Sequence, residues 1–279
     1  MKPVTLKHRV IIFYALAFAI AWASWFVMSR LYDGREPSPI VYVFSTLGGL
    51  APLIALALLE RLTGKEITLR GILSQIRLRG TRPAWFLVAV FALPAITLLG
   101  NAGAHLMNPD QPLRWIKPGP DGLGAGVVLV MALHFATSLV TSPLFEEPGW
   151  RGFALPIVQG KCGRHWGSLL VGVLWWAWHQ PMNLTFGLQP SAHSFLSMVG
   201  LSFVIDSLFN LSGRNLLVAM LAHQSSGTVL AFLNPGSAIA LQLGLLLTLV
   251  IILRWWEHTR SLAHRPSAAS PGSQSGPPP

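Results

Sequence analysis

Glutamate, arginine and histidine side chains occur at regular spacings in stretches that are otherwise apolar. The first group is Glu146, Glu147 and Arg151, in the segment FEEPGWRG, and the other two are His179 and His223. Ionisable groups in apolar segments are costly and therefore mark candidate functional sites. A carboxylate that deprotonates water and imidazoles that hold this water would together form a hydrolytic centre.

Spacing assigns different roles to the two glutamates. Glu147 and Arg151 are four residues apart with the acid nearer the N-terminus, which favours an ion pair. Pro148 suits a first helical turn, so Glu147 is expected to cap a helix that begins at Pro148. Glu146 has no evident local partner, and a carboxylate in an apolar setting is the stronger base. The alternative is an interfacial charge cluster that ends a span.

The histidines have structural as well as chemical interpretations. His179 follows Trp175 at i+4 on one helix face, near the end of an apolar span, where a histidine is more often structural than catalytic. The neighbouring tryptophans are also typical of an interface belt. His223 lies in the middle of a span and requires a polar partner. We interpret His134 and Asp206 as structural polar contacts.

Other hydrolase and cysteine motifs are missing from the sequence. There is no HExxH helix and no GxSxG motif, and the single cysteine, Cys162, excludes an internal disulfide. A glutamate and two histidines (Glu146, His179 and His223) are nevertheless a possible zinc ligand set. The residues alone do not decide whether a metal is bound.

The composition predicts an all-α polytopic membrane protein. Hydrophobic residues make up 52% of the chain and charged residues 11%, whereas a soluble domain carries about 25% charged residues. Eight stretches approach the length of about 20 apolar residues that a spanning helix needs. They are residues 10–29, 39–59, 84–103, 122–144, 167–184, 193–211, 214–232 and 236–255.

The distribution of Lys and Arg predicts the orientation of these spans. With both termini in the cytoplasm, sixteen of the 20 Lys and Arg residues fall on the cytoplasmic side, as the positive-inside rule requires. We therefore expect a multi-pass protein of the cell membrane. Its net charge of +10 is explained by this topology and by anionic lipid, without nucleic acid as a partner. The first span is expected to be a retained anchor and not a signal peptide, because its apolar run is long.

The chain divides into a transmembrane domain and a tail. The transmembrane domain is predicted to cover residues 1–261, and residues 61–83 within it are expected to form an amphipathic helix on the cytoplasmic surface. Residues 262–279 are rich in Ser, Pro and Gly and are expected to be disordered.

The ordered motifs resemble those of the CPBP family, which includes the CAAX proteases and bacteriocin-processing enzymes and is also called the Abi family. Glu146-Glu147-x-x-x-Arg151 resembles its EExxxR motif. Trp175-x-x-x-His179 resembles its FxxxH motif, and His223 resembles the histidine of its HxxxN motif. The similarity covers about residues 120–232, and the eight-span layout agrees with the family's helical bundle. The chain is similar to bacterial-type members.

The resemblance implies a glutamate-dependent intramembrane endopeptidase of the type II CAAX prenyl protease kind. The implied substrate is a membrane-associated peptide or lipidated protein, and the implied cofactor is either a divalent metal such as zinc or none. The chain has Gly227 where the family has Asn, and Ser226 or Thr228 could substitute for it. A non-enzymatic protein that binds hydrophobic peptides, such as a bacteriocin self-immunity factor, is therefore the alternative. The oligomeric state stays open.

Overall fold

The protein folds into a bundle of α-helices. The computed structural model describes residues 6–64, 66–110, 113, 115–117, 126–234 and 239–263. Most of the predicted tail therefore lies outside the described residues. The helices are α1 (Leu6–Leu31), α2 (Pro39–Gly49), α3 (Ala51–Leu62), α4 (Leu69–Leu73), α5 (Pro83–Met107), α6 (Val127–Leu139), α7 (Ser142–Glu147), a π-helix (Pro148–Ala154), α8 (Leu155–Thr185), α9 (Ala192–Leu211), α10 (Leu216–Phe232) and α11 (Ile239–Ala263).

The predicted all-α polytopic membrane fold is confirmed. Among the described residues, five helical segments are long and apolar enough to cross a membrane. A sixth is counted if α2 and α3, which meet at an angle of 49°, form one bent span. The eight predicted spans exceed this number for two reasons. Two of them fall within one 59-residue helical segment, Val127–Thr185, and a third is α10, which is shorter than 18 residues.

The long segment is helical but not straight. It begins with α6, passes through the short α7 and the π-helix, and continues into α8. Within α8, Gly163 adopts φ 77° and ψ 165°, which interrupts the helix because a residue with a Cβ rarely adopts this conformation. The sequence predicts two spans here because hydropathy falls in the polar stretch around Gly163.

Large aromatic side chains fill the centre of the bundle. Trp25, Trp150, Trp175 and Trp178 are each no more than 1% exposed. The ring of Trp178 packs against Trp25 at 4.7 Å and against Trp150 at 5.5 Å between centroids. These contacts join α1, the π-helix and α8. Trp175 and Trp178 thus belong to the core and not to an interface belt.

The segment between α3 and α5 is only briefly helical. Helix α4 covers Leu69–Leu73 and is capped by the hydroxyl of Thr68, which accepts a hydrogen bond from the amide of Gly71 at 3.0 Å. Of the amphipathic helix expected over residues 61–83, the segment between α3 and α5 therefore contains only this short helix. The side chain of Ile72 in α4 is buried. Gly80, at φ +78°, marks the irregular chain that leads to α5.

Gly48 lets α2 approach the indole of Trp25 closely. A Cβ at this position would lie 2.1 Å from Trp25 Nε1. The indole has little freedom to move, because Nε1 donates to the carbonyl of Ser45 at 3.2 Å. We expect Gly48→Ala to lower the free energy of unfolding by about 1–3 kcal/mol through overpacking, measured as a lower thermal midpoint in detergent.

The adjacent Gly49 supplies a matched control. A Cβ at Gly49 meets nothing within 4 Å. Gly49→Ala should therefore leave the midpoint unchanged or raise it slightly, because alanine is about 1 kcal/mol more favourable than glycine in a helix. Equal midpoints for the two variants would show that the Gly48 contact with Trp25 does not limit stability.

Candidate active site

Both glutamates sit at the junction between α7 and the π-helix. A new element does begin at Pro148, but Glu147 has α-helical φ and ψ of −61° and −35° and makes no capping hydrogen bond. The predicted cap at Glu147 is therefore wrong. Winding continues through Pro148 as a π-helix, and this leaves the Glu147 carboxylate free to make tertiary contacts. Single π-helical turns are frequent at functional sites.

The predicted ion pair between Glu147 and Arg151 is present. Arg151 Nη1 lies 3.0 Å from Glu147 Oε1, and both side chains are fully buried. The same guanidinium donates from Nε to Asp206 Oδ1 at 2.9 Å and from Nη2 to the hydroxyl of Ser202 at 2.8 Å. The ring of Trp175 covers the guanidinium at 4.7 Å. Arg151 is thus held on several sides by groups from α7, α8 and α9.

Glu146 was expected to lack a local partner, and this expectation is wrong. Its Oε1 accepts a hydrogen bond from the hydroxyl of Ser142 at 2.8 Å, and its Oε2 accepts one from Trp175 Nε1 at 2.8 Å. Glu146 is 3% exposed. Both donors are uncharged, so they orient the carboxylate without neutralising it. Glu147, by contrast, is paired with a cation.

In the described part of the chain, each of the two histidines makes a hydrogen bond through Nδ1 and none through Nε2. His179 Nδ1 lies 2.8 Å from the backbone carbonyl of Trp175, and His223 Nδ1 lies 2.8 Å from Glu147 Oε1. A carbonyl and a carboxylate can only accept, so both Nδ1 atoms carry the proton. In a neutral ring Nε2 is then an acceptor. Each histidine can therefore hold a water through Nε2.

Trp175 connects the parts of the site. Its indole N–H reaches Glu146, and its ring meets the rings of His179 and His223 edge-on at 5.3 and 5.2 Å between centroids. Four of the five predicted site residues thus contact one tryptophan, and the fifth, Glu147, is bonded to Arg151 and His223. The sequence placed Trp175 on the same helix face as His179 but gave it no role of its own.

The geometry does not favour the possible zinc ligand set. Glu146, His179 and His223 are suitable donors by residue type. Within the described residues, however, no group of three or more His, Cys, Asp or Glu side chains is arranged to hold a metal ion. The residues in this arrangement do not fit a metal, and no step is assigned to one.

Sequence reasoning missed two groups that complete the site. Asp206, interpreted as a structural contact, forms the second carboxylate partner of Arg151 and is fully buried. Its position in an apolar span was the signal, because such a residue needs a charged partner. For Ser142 the signal was its position four residues before Glu146 on one helix. His134 lies apart from these residues, with its ring against Phe232 at 5.1 Å.

Gly227 leaves a position that nearby polar side chains do not fill. The Ser226 hydroxyl donates to the carbonyl of His223 at 2.6 Å, within its own helix. The Thr228 hydroxyl accepts from Gln224 Nε2 at 3.3 Å. The amide atoms of Gln224 lie 3.9 Å from where a Cβ of residue 227 would be. Gln224 therefore supplies a carboxamide group near position 227, where the family has Asn.

A second buried ion pair continues the charge pattern beyond the site. Arg254 Nη1 lies 2.7 Å from Glu257 Oε2, and Asn210 Nδ2 donates to Glu257 Oε1 at 3.1 Å. The Arg254 guanidinium also lies over the ring of Phe203 at 4.6 Å. This ion pair therefore joins α11 to α9, the helix that carries Asp206.

Comparison with known proteins identifies similar sequences over the same region. Residues 127–229 match the family described as type II CAAX prenyl endopeptidase Rce1-like. Over 232 residues the chain is 21% identical to CAAX prenyl protease 2 of Methanococcus maripaludis, covering 78% of this chain and 82% of that protein. Over 90 residues it is 29% identical to Lysostaphin resistance protein A of Staphylococcus haemolyticus, covering 32% of this chain and 24% of that protein.

Removing the Arg151 charge should destabilise the fold strongly. Arg151→Met leaves Glu147 and Asp206 buried without their common counter-charge, and breaking a buried pair in this way costs about 3–5 kcal/mol. The measurement is the thermal midpoint of the purified protein. Adding Glu147→Gln and Asp206→Asn to Arg151→Met should recover part of the loss, because the uncompensated charges are then gone.

Arg61→Met is the matched control, since Arg61 is exposed at the end of α3. Its midpoint should stay at the wild-type value. If Arg151→Met were as stable as Arg61→Met, the buried network would not contribute to stability.

Proposed function

We propose that this protein hydrolyses a peptide bond within the membrane with water activated by Glu146, since residues 127–229 match the family described as type II CAAX prenyl endopeptidase Rce1-like. The observation that carries the proposal is the Glu146 carboxylate. It is buried, oriented by two uncharged donors, and gathered with two histidines around Trp175. A positioned base of this kind is what general base catalysis requires.

The proposed reaction assigns a role to each residue. Glu146 takes a proton from a water that His179 holds through Nε2. The resulting hydroxide attacks the carbonyl carbon of the scissile bond, and the carbonyl oxygen becomes an oxyanion. His223, when protonated, keeps the hydrogen bond from Nδ1 to Glu147 and donates a second one from Nε2 to the oxyanion. The C–N bond then breaks, and the proton held by Glu146 passes to the leaving amine.

Glu147 and Arg151 have positioning roles in this proposal. They do not touch the reacting atoms. Glu147 orients His223 through the hydrogen bond to Nδ1, and Arg151 fixes Glu147. Groups that orient a histidine in this way set which of its nitrogens is available.

The substrate in this proposal is a membrane-associated peptide or a lipidated protein. The relative from Methanococcus maripaludis is named a CAAX prenyl protease, which supports a prenylated peptide as the first substrate to test. The proposal includes a site near the cytoplasmic leaflet and both termini in the cytoplasm, as the Lys and Arg distribution indicates.

A non-enzymatic binding protein is the alternative proposal. Gly227 supports it, because glycine has no side chain to donate to an oxyanion. The similarity to a protein named for lysostaphin resistance does not distinguish the alternatives, since it covers only 24% of that protein. A protein that only binds a hydrophobic peptide would not depend on the charge of Glu146.

Glu146→Gln should lower kcat/KM for a prenylated peptide in lipid vesicles by about 10²–10⁴-fold, because it removes the general base. The fold should persist. The glutamine oxygen can accept from Trp175 Nε1, and its NH₂ group can donate to the Ser142 hydroxyl. An unchanged thermal midpoint would establish that the loss of cleavage is chemical.

Glu36→Gln is the control, since Glu36 is an exposed acid outside the site, and it should cleave at the wild-type rate. His179→Ala should also lose activity. Cleavage at the wild-type rate by the Glu146→Gln or the His179→Ala variant would contradict the proposed mechanism. Retained peptide binding and an unaltered cellular phenotype in Glu146→Gln would favour the binding protein.

A further inference from the structure

A cavity of about 600 Å³ lies outside the residues of the proposed catalytic site. One part of its wall comes from the segment between α3 and α5, including Arg77. Another part is Arg214, in the turn between α9 and α10, and the remainder comes from residues 152–157. Because residues 66–77 and 213–214 connect the ends of helices α3, α5, α9 and α10, the cavity lies where spans end and not at mid-membrane depth.

The framework of the cavity is fixed by hydrogen bonds. Asn215 is fully buried, accepts from the amide of Arg77 at 3.2 Å and donates to the Thr81 hydroxyl at 2.8 Å. The amide of Leu216 donates to the carbonyl of Gln75 at 2.9 Å. These bonds join the α3–α5 segment to the α9–α10 turn. The cavity wall is therefore built by pairing two connections and not by one mobile loop.

Arg214 occupies a backbone conformation that costs free energy for a residue with a side chain. Its φ is +59°, and it is the one residue other than glycine with positive φ among those described. Glycine or asparagine would be the usual choice at such a position. Residues held in this region cluster at sites with a function. The strained backbone places an exposed guanidinium at the cavity.

The cavity combines cationic and apolar walls. Arg77 donates from Nη2 to the carbonyl of Gly213 at 2.7 Å, so its guanidinium is held beside the turn that carries Arg214. The acidic lining residue, Glu66, forms an ion pair with Arg9. The apolar wall is made by Ile67, Ile72, Phe153 and Ile157. A ligand that suits this cavity carries an anionic group next to a hydrocarbon segment.

We propose that this cavity binds the phosphate headgroup of an anionic phospholipid. Arg77 and Arg214 contact the phosphate, and the glycerol and first acyl carbons lie along the apolar wall. Arginine suits phosphate because its planar guanidinium donates several hydrogen bonds in a fixed geometry. A volume of about 600 Å³ holds a headgroup with its glycerol and leaves the acyl chains outside in the bilayer. The position at the ends of spans places the phosphate at headgroup depth.

The test measures lipid retention and does not depend on proteolysis. Purified protein is reconstituted in nanodiscs of equal phosphatidylglycerol and phosphatidylcholine, re-extracted in neutral detergent, and analysed for bound lipid by native mass spectrometry. Wild-type protein should retain phosphatidylglycerol in preference to phosphatidylcholine. Arg214→Gly should reduce that preference about fivefold, which is the effect expected for one cationic residue at a lipid surface.

Arg214→Gly also separates binding from folding. Glycine relieves the positive φ, so this variant should unfold at the wild-type temperature or above it. The charge-matched control is Arg79→Gln, which removes an exposed arginine outside the cavity wall and should leave retention unchanged. Arg77→Gln provides a second variant in the cavity, with a predicted loss of retention similar to that of Arg214→Gly.

Three results would overturn the proposal that this cavity binds an anionic phospholipid. The first is equal retention of the two lipids by wild-type protein. The second is an equal loss of retention in Arg214→Gly and Arg79→Gln, which would show general attraction to an anionic surface. The third is displacement of phosphatidylglycerol by millimolar inorganic phosphate, which would identify a soluble anion as the ligand. Glu146→Gln should retain lipid as wild-type protein does, so failure of the proposed proteolysis would not affect this result.

Discussion

The buried guanidinium of Arg151 determines how the helices around the site are arranged. Taking it out of water costs several kcal/mol, and this cost is offset only if its donors and charge are satisfied inside the protein. Glu147 supplies one carboxylate from α7, and α9 supplies a second carboxylate and a hydroxyl at Asp206 and Ser202. These bonds hold α7, the π-helix and α9 in one register. The direction of the Glu146 carboxylate depends on that register.

The two consecutive glutamates at the end of α7 have different surroundings. Glu147 is drawn to Arg151 and His223, whereas Glu146 faces Ser142 and Trp175. One carboxylate is thus paired with a cation, and its neighbour is held only by uncharged donors. This difference in environment gives the two glutamates different roles. A general base needs a carboxylate charge that no cation neutralises, whereas a positioning group can be paired with a cation. Two adjacent residues can differ in this way because successive helical side chains point in different directions.

The site is also connected to parts of the chain that its motifs do not include. Trp175 joins the base, the histidines and the arginine through one indole. In α11, outside residues 127–229, Arg254 and Glu257 form a second buried ion pair, and Arg254 packs over Phe203 of α9. The geometry around Arg151 is therefore set by the whole bundle and not only by the segment that carries the motifs.

Composition and short spacings are enough to predict two features of this protein. The apolar stretches predicted an all-α membrane bundle, and the four-residue spacing of Glu147 and Arg151 predicted their ion pair; both are confirmed. The bond from Trp175 to Glu146 and the second carboxylate on Arg151 depend instead on tertiary packing. Asp206 lies 55 residues from Arg151, so its approach depends on how helices rotate and pack, which hydropathy does not encode. The cap predicted at Glu147 failed for a related reason, since the energy of its buried contacts outweighed the local preference of the residue before a proline.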